Sequence, residues 1–224
     1  MSQSVVVYQP CYFPKLHYIA RIDDADVFIV FDDVEFSRRS RQHRCQIDFA
    51  SKKWLTIPVK HTGQEILIKD AIIDNSGRWH TEHYQTLVHK YGSDASRFET
   101  YYEAIKDVDE PRLVDVTVPT LVELLDAFSV DVEILRSSEL DVEHPGDATT
   151  YIRNLVESVD GDEYICGKRA YENYLRDEEF DKHDIRIEIQ NWEPKWEDGN
   201  VCALDVLFNA AEPSEYLDDG GNSK

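Results

Sequence analysis

Three acidic residues, Asp32, Asp33 and Glu35, follow an apolar segment at 27–31 that is typical of a buried strand. Carboxylates at a strand end can transfer protons or accept hydrogen bonds from sugar hydroxyls. Because neighbouring strand residues point to opposite faces, we expect one aspartate to face a site and the other to cap a turn. Asp32 and Asp33 are therefore catalytic candidates, with a hydrogen-bonded turn as the alternative. These carboxylates could also hold Mg²⁺ beside a phosphate, and no metal ligand is assigned.

Segment 37–44 is the one basic cluster in an otherwise acidic chain. The planar fork of arginine binds phosphate or carboxylate groups bidentately, so this cluster predicts a partner that is a phosphate-bearing small molecule or a nucleotide sugar. The alternative is a set of ion pairs at the base of a hairpin, with the acids at 32–35 as partners. The basic members are Arg38, Arg39, Arg41, His43 and Arg44.

His83 lies four residues after Trp79, within a segment of helical spacing that begins near residue 76. Histidine is the commonest general base, so His83 is a candidate for proton transfer. The alternative is a histidine that packs on a helix face. His80 and His83 have the i, i+3 spacing of metal ligands, but no third ligand follows at helical spacing, and zinc is not expected.

The first predicted strand, at 5–8, runs into a loop that contains Pro10 and Pro14. Proline lacks the N–H group and fixes φ, so the strand must end here. The amide of Gln9 and the phenol of Tyr12 on this stiff loop are suited to orienting a ligand. Cys11 in the same loop could act as a nucleophile, but no activating base is identified beside it.

Strand and helix patterns alternate along the chain, which predicts an α/β fold with a Rossmann-like, mostly parallel sheet. A β-hairpin and helical insertion is expected at about residues 38–128. We predict one domain over residues 1–212 and a flexible tail at 213–224. The other predicted elements are strands at 132–137, 163–166 and 185–190 and helices at 15–23, 96–105, 113–128, 149–159, 169–175 and 201–209.

The chain has 24 basic and 45 acidic residues, for a net charge of −21. Such an excess repels polyanions, so no nucleic-acid partner is expected, and it favours a halophilic protein adapted to high salt. The four cysteines have no metal-ligand spacing, and no signal peptide or apolar run of about 18 residues is present. We therefore predict a cytoplasmic protein without membrane insertion. Cofactors and homo-oligomer formation are left open.

The N-terminal loop and several later segments resemble the WbqC-like family. The opening motif consists of the segment 9–18, the dipeptide at 25–26 and the acidic segment 32–36. Together with the later matches, the resemblance spans roughly residues 5–210. The later matches are Arg44, Ile47, 54–59, Trp79, His83, Tyr91, Phe98, Gly167, Tyr174, Leu175 and 204–209. The resemblance and the loop chemistry described above together predict a set of substrate-binding residues. They are Gln9, Tyr12, Tyr18, Arg44, Trp79, Gly167, Tyr174 and Asn209.

The chain departs from the family pattern at three places. Lys15 and His17 stand where the family usually has tryptophan and glycine, and His43-Arg44-Cys45 stands where it often has Asn-Arg-Asn. A bulky residue at position 17 is incompatible with a need for positive φ there. These departures bear on the substrate more than on the fold.

The resemblance implies an enzyme that makes precursors of surface polysaccharides. Within that class we predict a transferase that moves an acyl or aminoacyl group to an amino sugar or a nucleotide-linked sugar. One alternative is a nucleotidyltransferase-like enzyme acting on a phosphate-bearing small molecule, because the strand–loop–helix opening is similar and His17 lies in it. The other is a non-catalytic glycan-binding or scaffold protein, with tryptophans that stack on sugar rings. Those tryptophans are Trp54, Trp79, Trp192 and Trp196.

Overall fold

The computed structural model of this protein describes residues 2–48, 53–60, 65–195 and 202–218. Its parallel strands are β1 (Ser4–Tyr8), β2 (Val27–Val30), β5 (Glu133–Arg136), β6 (Glu163–Gly167) and β7 (Arg186–Gln190). They form one sheet in the order β5-β2-β1-β6-β7. An antiparallel hairpin consists of β3 (Arg44–Asp48) and β4 (Lys53–Thr56).

Helices connect the strands and cover both faces of the sheet. They are α1 (Leu16–Asp23), α2 (Trp79–Tyr91), α3 (Glu99–Ile105), α4 (Val114–Ala127), α5 (Ala148–Ser158), α6 (Lys168–Asn173), α7 (Asp177–Asp181) and α8 (Ala203–Asn209). Short 3₁₀ turns lie at Ile68–Asp70, Ser93–Phe98, Ser137–Glu139 and Pro213–Tyr216.

The inner strands β1 and β2 are apolar along nearly their whole length because both faces of a parallel sheet are covered. Successive side chains alternate between two cores. Val6 and Phe28 pack with α1 and with the helices α2 to α4. Val5, Val7 and Ile29 point the other way and pack against α5 and α7. The apolar segments therefore specify a buried central sheet.

The chain runs outward from β1 through β2 to β5, and then crosses to the other side of β1 to form β6 and β7. The direction of winding therefore reverses between β1 and β6. In open α/β sheets the loops at such a reversal separate and leave a crevice beyond the carboxyl ends of the strands. The fold thus predicts a ligand site at the ends of β1 and β6.

The hairpin and the helices α2 to α4 lie between β2 and β5 in the sequence. In the hairpin, Cys45 pairs with Leu55, and both side chains are buried. The side chains of the next cross-strand pair, Gln46 and Trp54, are more exposed. The predicted α/β fold, with a parallel sheet and a separate hairpin, is confirmed. The turn of the hairpin lies outside the described residues.

The sequence predicts a flexible C-terminal tail from residue 213. In the described part of this segment, Pro213–Tyr216 form a 3₁₀ turn and Leu217 is buried. The Nε1 of Trp192 donates to the carbonyl oxygen of Leu217 at 2.7 Å. Across the described ranges, none of the helices combines the length and apolar character that a bilayer crossing requires.

Gly161, which precedes β6, provides a test of this packing. A Cβ atom at this position would lie 2.5 Å from Cγ2 of Val5 and 2.9 Å from the carbonyl oxygen of Val156. Gly161→Ala should therefore lower the free energy of unfolding by about 1–3 kcal/mol, as overpacking does. Gly77→Ala is the matched control, because no atom lies within 4 Å of a Cβ there. Equal denaturant midpoints for the two variants would contradict this packing.

Candidate functional site

A cleft of about 820 Å³ opens beyond the carboxyl ends of β1 and β6, where the strand order reverses. Its volume lies within the range of roughly 300–1,000 Å³ that small-molecule sites occupy. Tyr8 and Gln9 line it from the end of β1, and Gly167 and Lys168 line it from the end of β6. The cleft therefore occupies the position at which this class of sheet binds ligands.

The loop after β1 is held by contacts with the basic segment that precedes the hairpin. Nε2 of Gln42 donates to Oε1 of Gln9 at 2.8 Å, and the backbone N–H of Tyr12 donates to the carbonyl oxygen of Arg41 at 3.0 Å. The hydroxyl of Tyr18 donates to the carbonyl oxygen of Gln9 at 2.9 Å. These hydrogen bonds hold the loop that carries Gln9 in place at the wall of the cleft. Tyr18, predicted to bind substrate, is buried beneath that loop.

The cleft is lined by basic residues. Lys15 caps the start of α1 and Arg21 lies in its last turn. Arg41 comes from the segment before β3, and Lys168 and Arg169 come from α6. Among the described residues that line the cleft, none is aspartate or glutamate. In a chain with a net charge of −21, this concentration of positive charge favours an anionic ligand.

The pKa of His17 reflects the positive charge of the cleft. Its pKa is lowered to about 4, first by burial and then by the charges of Arg21, Lys15 and Arg41. The imidazole is therefore neutral at pH 7 and can accept a proton or a hydrogen bond. An anion bound among these cations would raise the pKa of His17 toward neutrality.

Gly167 and Tyr174, two of the residues predicted to bind substrate, both line the cleft. A Cβ atom at Gly167 would lie 2.6 Å from Nη2 of Arg21, so the missing side chain leaves room for the guanidinium group. Tyr174 is 44% exposed and offers an aromatic face at the rim. Gln9, Gly167 and Tyr174 are thus brought together by the fold.

Cys11 also lines the cleft, but its side chain is buried. Burial raises the pKa of the Cys11 thiol to about 12, and the charge of Arg41 opposes this only in part. The thiol is protonated at neutral pH and is therefore a poor nucleophile.

The two aspartates follow β2 and bond to residues at the end of β5, outside the lining of the cleft. Asp32 is 0% exposed and accepts from Nε of Arg136 at 2.8 Å and from the backbone N–H of Ser138 at 3.1 Å. Asp33 accepts from the hydroxyls of Ser137 and Tyr151. Their contacts correspond to the hydrogen-bonded turn that the sequence offered as the alternative.

His83 packs inside the insertion, beneath the N-terminal loop. Its Nδ1 lies 3.0 Å from the hydroxyl of Tyr12, which also hydrogen-bonds to Tyr102. The ring centres of Trp79 and His83 lie 5.2 Å apart, edge to face. Nε1 of Trp79 donates to Oδ1 of Asn75 at 3.0 Å. Burial lowers the pKa of His83 to about 3. Tyr12, Trp79 and His83 therefore form one buried cluster outside the cleft lining.

Arg44 and Asn209, also predicted to bind substrate, lie outside the cleft lining. The guanidinium group of Arg44 stacks 4.4 Å from the ring centre of Trp54 and donates to the carbonyl oxygen of Arg39. Nδ2 of Asn209 donates to the carbonyl oxygen of Asp205 at 2.7 Å. Trp196 lies outside the described residues.

Sequence reasoning did not identify four of the basic residues in the lining, Lys15, Arg21, Lys168 and Arg169. The dipeptide Lys168-Arg169 directly follows a predicted strand end in an acidic chain, and that signal could have found it. No local signal marks Arg21, because a single arginine on a helix is ordinary. Within the described ranges, no group of three or more His, Cys, Asp and Glu residues is arranged to hold a metal ion.

The chain matches the WbqC-like protein family over residues 9–215. This protein belongs to that family. It is also 25% identical to a curated Mycobacterium tuberculosis protein, the uncharacterized protein Rv1507c, over 96% of this chain and 97% of the relative. No solved structure matches the chain significantly. For this WbqC-like protein, the matched range extends from Gln9 to beyond Tyr174 and so includes nearly all of the cleft lining.

The buried Asp32 should matter for stability. Asp32→Ala leaves Nε of Arg136 and the hydroxyl and N–H donors around Asp32 without their buried acceptor, which should lower the free energy of unfolding by about 3–5 kcal/mol. Glu139→Gln is the control, because Glu139 pairs with the same Arg136 at 3.2 Å but is exposed. It should cost less than about 1 kcal/mol. Denaturant unfolding measures both, and an Asp32→Ala protein of wild-type stability would refute the structural role.

His83 should make the protein sensitive to acid. Its pKa is about 3 in the folded protein against an ordinary value of 6.5, so between these values the unfolded chain binds a proton that the folded chain does not. Stability therefore falls as pH falls through this window, by up to about 1.4 kcal/mol per pH unit. His83→Asn should flatten the pH dependence of stability between pH 6.5 and 3 relative to wild type.

Chemical unfolding at a series of pH values measures this dependence. His89→Asn, on the exposed side of the same helix, is the control and should follow the wild-type profile. If His83→Asn also follows the wild-type profile, the imidazole is not buried in the neutral form.

Proposed function

We propose that this WbqC-like protein is an enzyme of surface-polysaccharide precursor biosynthesis that binds a phosphate-bearing substrate in the cleft between β1 and β6. The observation that supports this most directly is the all-basic set of charged residues in the lining. Phosphate groups are recognised by such lysine and arginine side chains through charge-assisted hydrogen bonds. Membership of the WbqC-like family supports the polysaccharide context.

Within that class, the proposed reaction is transfer of an acyl or aminoacyl group to an amino sugar, in free or nucleotide-linked form. The amine nitrogen bonds to the acyl carbon of an activated donor, the leaving group departs with its electron pair, and the amine loses a proton. His17 is proposed to take that proton, because it is a neutral imidazole in the cleft lining. Gln9 is proposed to orient the sugar through its amide.

The strand order gives a specific reason to keep the nucleotidyltransferase-like alternative. The sheet has the strand order β5-β2-β1-β6-β7. When only the parallel strands are numbered along the chain, this order is 3-2-1-4-5, as in the nucleotide-binding Rossmann arrangement. His17 on α1 follows β1 in the loop–helix position where such enzymes contact phosphate. That reaction would consume a nucleoside triphosphate and release pyrophosphate, whereas acyl transfer would not.

Binding of nucleotides and nucleotide sugars tests the proposed site. Calorimetric titration at a fixed salt concentration should give saturable binding of at least one such ligand to the wild-type protein. Arg41→Gln and Lys168→Gln should each weaken it by about tenfold or more, because a hydrogen bond to a charged group contributes about 1.5–3 kcal/mol. Lys182→Gln removes the same charge from an exposed pair with Glu179, outside the cleft, and should change affinity little.

The outcomes separate the candidate functions. A mass shift of an amino sugar with an acyl donor supports the transferase, and nucleotide-dependent pyrophosphate release supports the alternative. Saturable binding without turnover of any pair supports a glycan-binding or scaffold role. Absence of binding to every nucleotide and nucleotide sugar, in protein shown to be folded, would overturn the proposed site.

A further inference from the structure

Arg21, at the base of the cleft, is a buried charge with neutral partners. Its side chain on α1 is 7% exposed. Nε donates to Oε1 of Gln190 at 3.0 Å, and the guanidinium carbon lies 5.2 Å from the centre of the Tyr8 ring. Among the residues that the structure describes, no carboxylate forms an ion pair with Arg21.

Two other arginines with largely buried side chains are neutralised by carboxylates of the protein itself. Arg136 pairs with the buried Asp32, and Arg153, whose side chain is 12% exposed, pairs with Glu157 at 3.1 Å. Removing a charge from water without a counter-ion is costly. Although the chain has 45 acidic residues, no acid among the described residues pairs with Arg21, which favours a counter-ion supplied by a bound ligand.

Gly167 keeps space open around this guanidinium group. Its φ of −89° and ψ of 146° suit any residue, so the backbone does not require glycine here. The requirement is steric, because a Cβ atom would lie 2.6 Å from Nη2 and 3.1 Å from Cζ of Arg21. The end of β6 is therefore shaped around the terminal nitrogens of Arg21.

Arg21 is accompanied by four more basic residues around the same cleft, Lys15, Arg41, Lys168 and Arg169. They reach it from α1, from the segment before β3 and from α6. Of these, Lys168 has a carboxylate neighbour, Glu172, at 3.8 Å. Cations from three separate segments offer more donors than a single phosphate group needs, which favours a ligand with two linked phosphates.

We propose that Arg21 forms a floor subsite for one phosphate of a diphosphate, and that the surrounding cations of the rim hold the other. This inference rests on the proposed function and narrows it, because the substrate class becomes a diphosphate-linked compound, such as a nucleoside diphosphate sugar. The Nη atoms of Arg21 bind the floor phosphate, and Gln190 and Tyr8 hold the guanidinium group in position.

Inorganic pyrophosphate and orthophosphate are the probes, compared at equal ionic strength by calorimetric titration. The wild-type protein should bind pyrophosphate at least about tenfold more tightly than orthophosphate. Arg21→Lys keeps the charge but loses the planar fork, so the ratio should fall to within about threefold. Arg153→Lys is the matched control, because it changes another arginine, with a side chain that is only 12% exposed, outside the cleft and should leave the ratio at its wild-type value.

Gly167→Ala is a second test that leaves Arg21 in the sequence. Its added methyl group should displace the guanidinium group and reduce the preference for pyrophosphate in the same direction. In wild-type protein, pyrophosphate should also raise the pKa of His17 above about 4, which NMR of the imidazole protons detects. A purely structural role of Arg21 would change stability without changing the ratio of the two affinities.

The outcomes for the subsite and for the proposed function are distinguishable. If wild-type protein binds both anions equally, or if folded Arg21→Lys and Gly167→Ala proteins keep the wild-type ratio, the floor subsite is refuted while nucleotide binding still supports the cleft. If neither anion and no nucleotide binds, both proposals fail together. If Arg21→Lys does not fold, the floor subsite is tested by the ratio of pyrophosphate to orthophosphate affinity in Gly167→Ala and by the titration of His17. A wild-type ratio with an unchanged His17 pKa would refute it.

Discussion

The reversal of strand order between β1 and β6 is the constraint on which the site depends. It separates the connections that leave these two strands, so a cleft opens where neither loop can cover the strand ends. The loop after β1 and helix α6 after β6 both bring basic residues to this opening. A positive cleft therefore arises in a chain with a net charge of −21 because position in the fold, and not composition, decides the local potential.

The interior of the protein uses most of its conspicuous polar residues for structure. Asp32 joins the end of β2 to the turn after β5 through Arg136 and Ser138. Tyr12 and His83 join the N-terminal loop to the helical insertion through a buried hydrogen bond. Such groups are costly to bury unless each finds a partner, and here they link segments that are distant in sequence. The insertion thereby supports the loop that carries Gln9 to the cleft.

The basic segment before the hairpin has two different roles within a few residues. Arg41 and Arg44 both approach the ring of Trp54, at 5.5 Å and 4.4 Å from its centre, but Arg41 lines the cleft and Arg44 does not. Stacking on tryptophan orders these long side chains and so reduces the entropy that a ligand contact at Arg41 would otherwise cost. A cluster of arginines in sequence is therefore not equivalent to a cluster in space.

The amino-acid sequence alone determined the alternation of strands and helices, the hairpin, the family and the end of β1 in a proline-containing loop at Gln9. Each of these depends on local periodicity, on proline or on a contiguous motif. It could not determine which polar residues share a cavity. Arg21 and Gly167 are far apart in sequence and meet only because β1 and β6 are neighbours in the sheet. Likewise Asp32 and His83 have the side chains of catalytic residues, and only the packing around them decides that they lie in the interior. The reason is physical: burial and pairing depend on contacts between distant segments, and local sequence patterns do not specify those contacts.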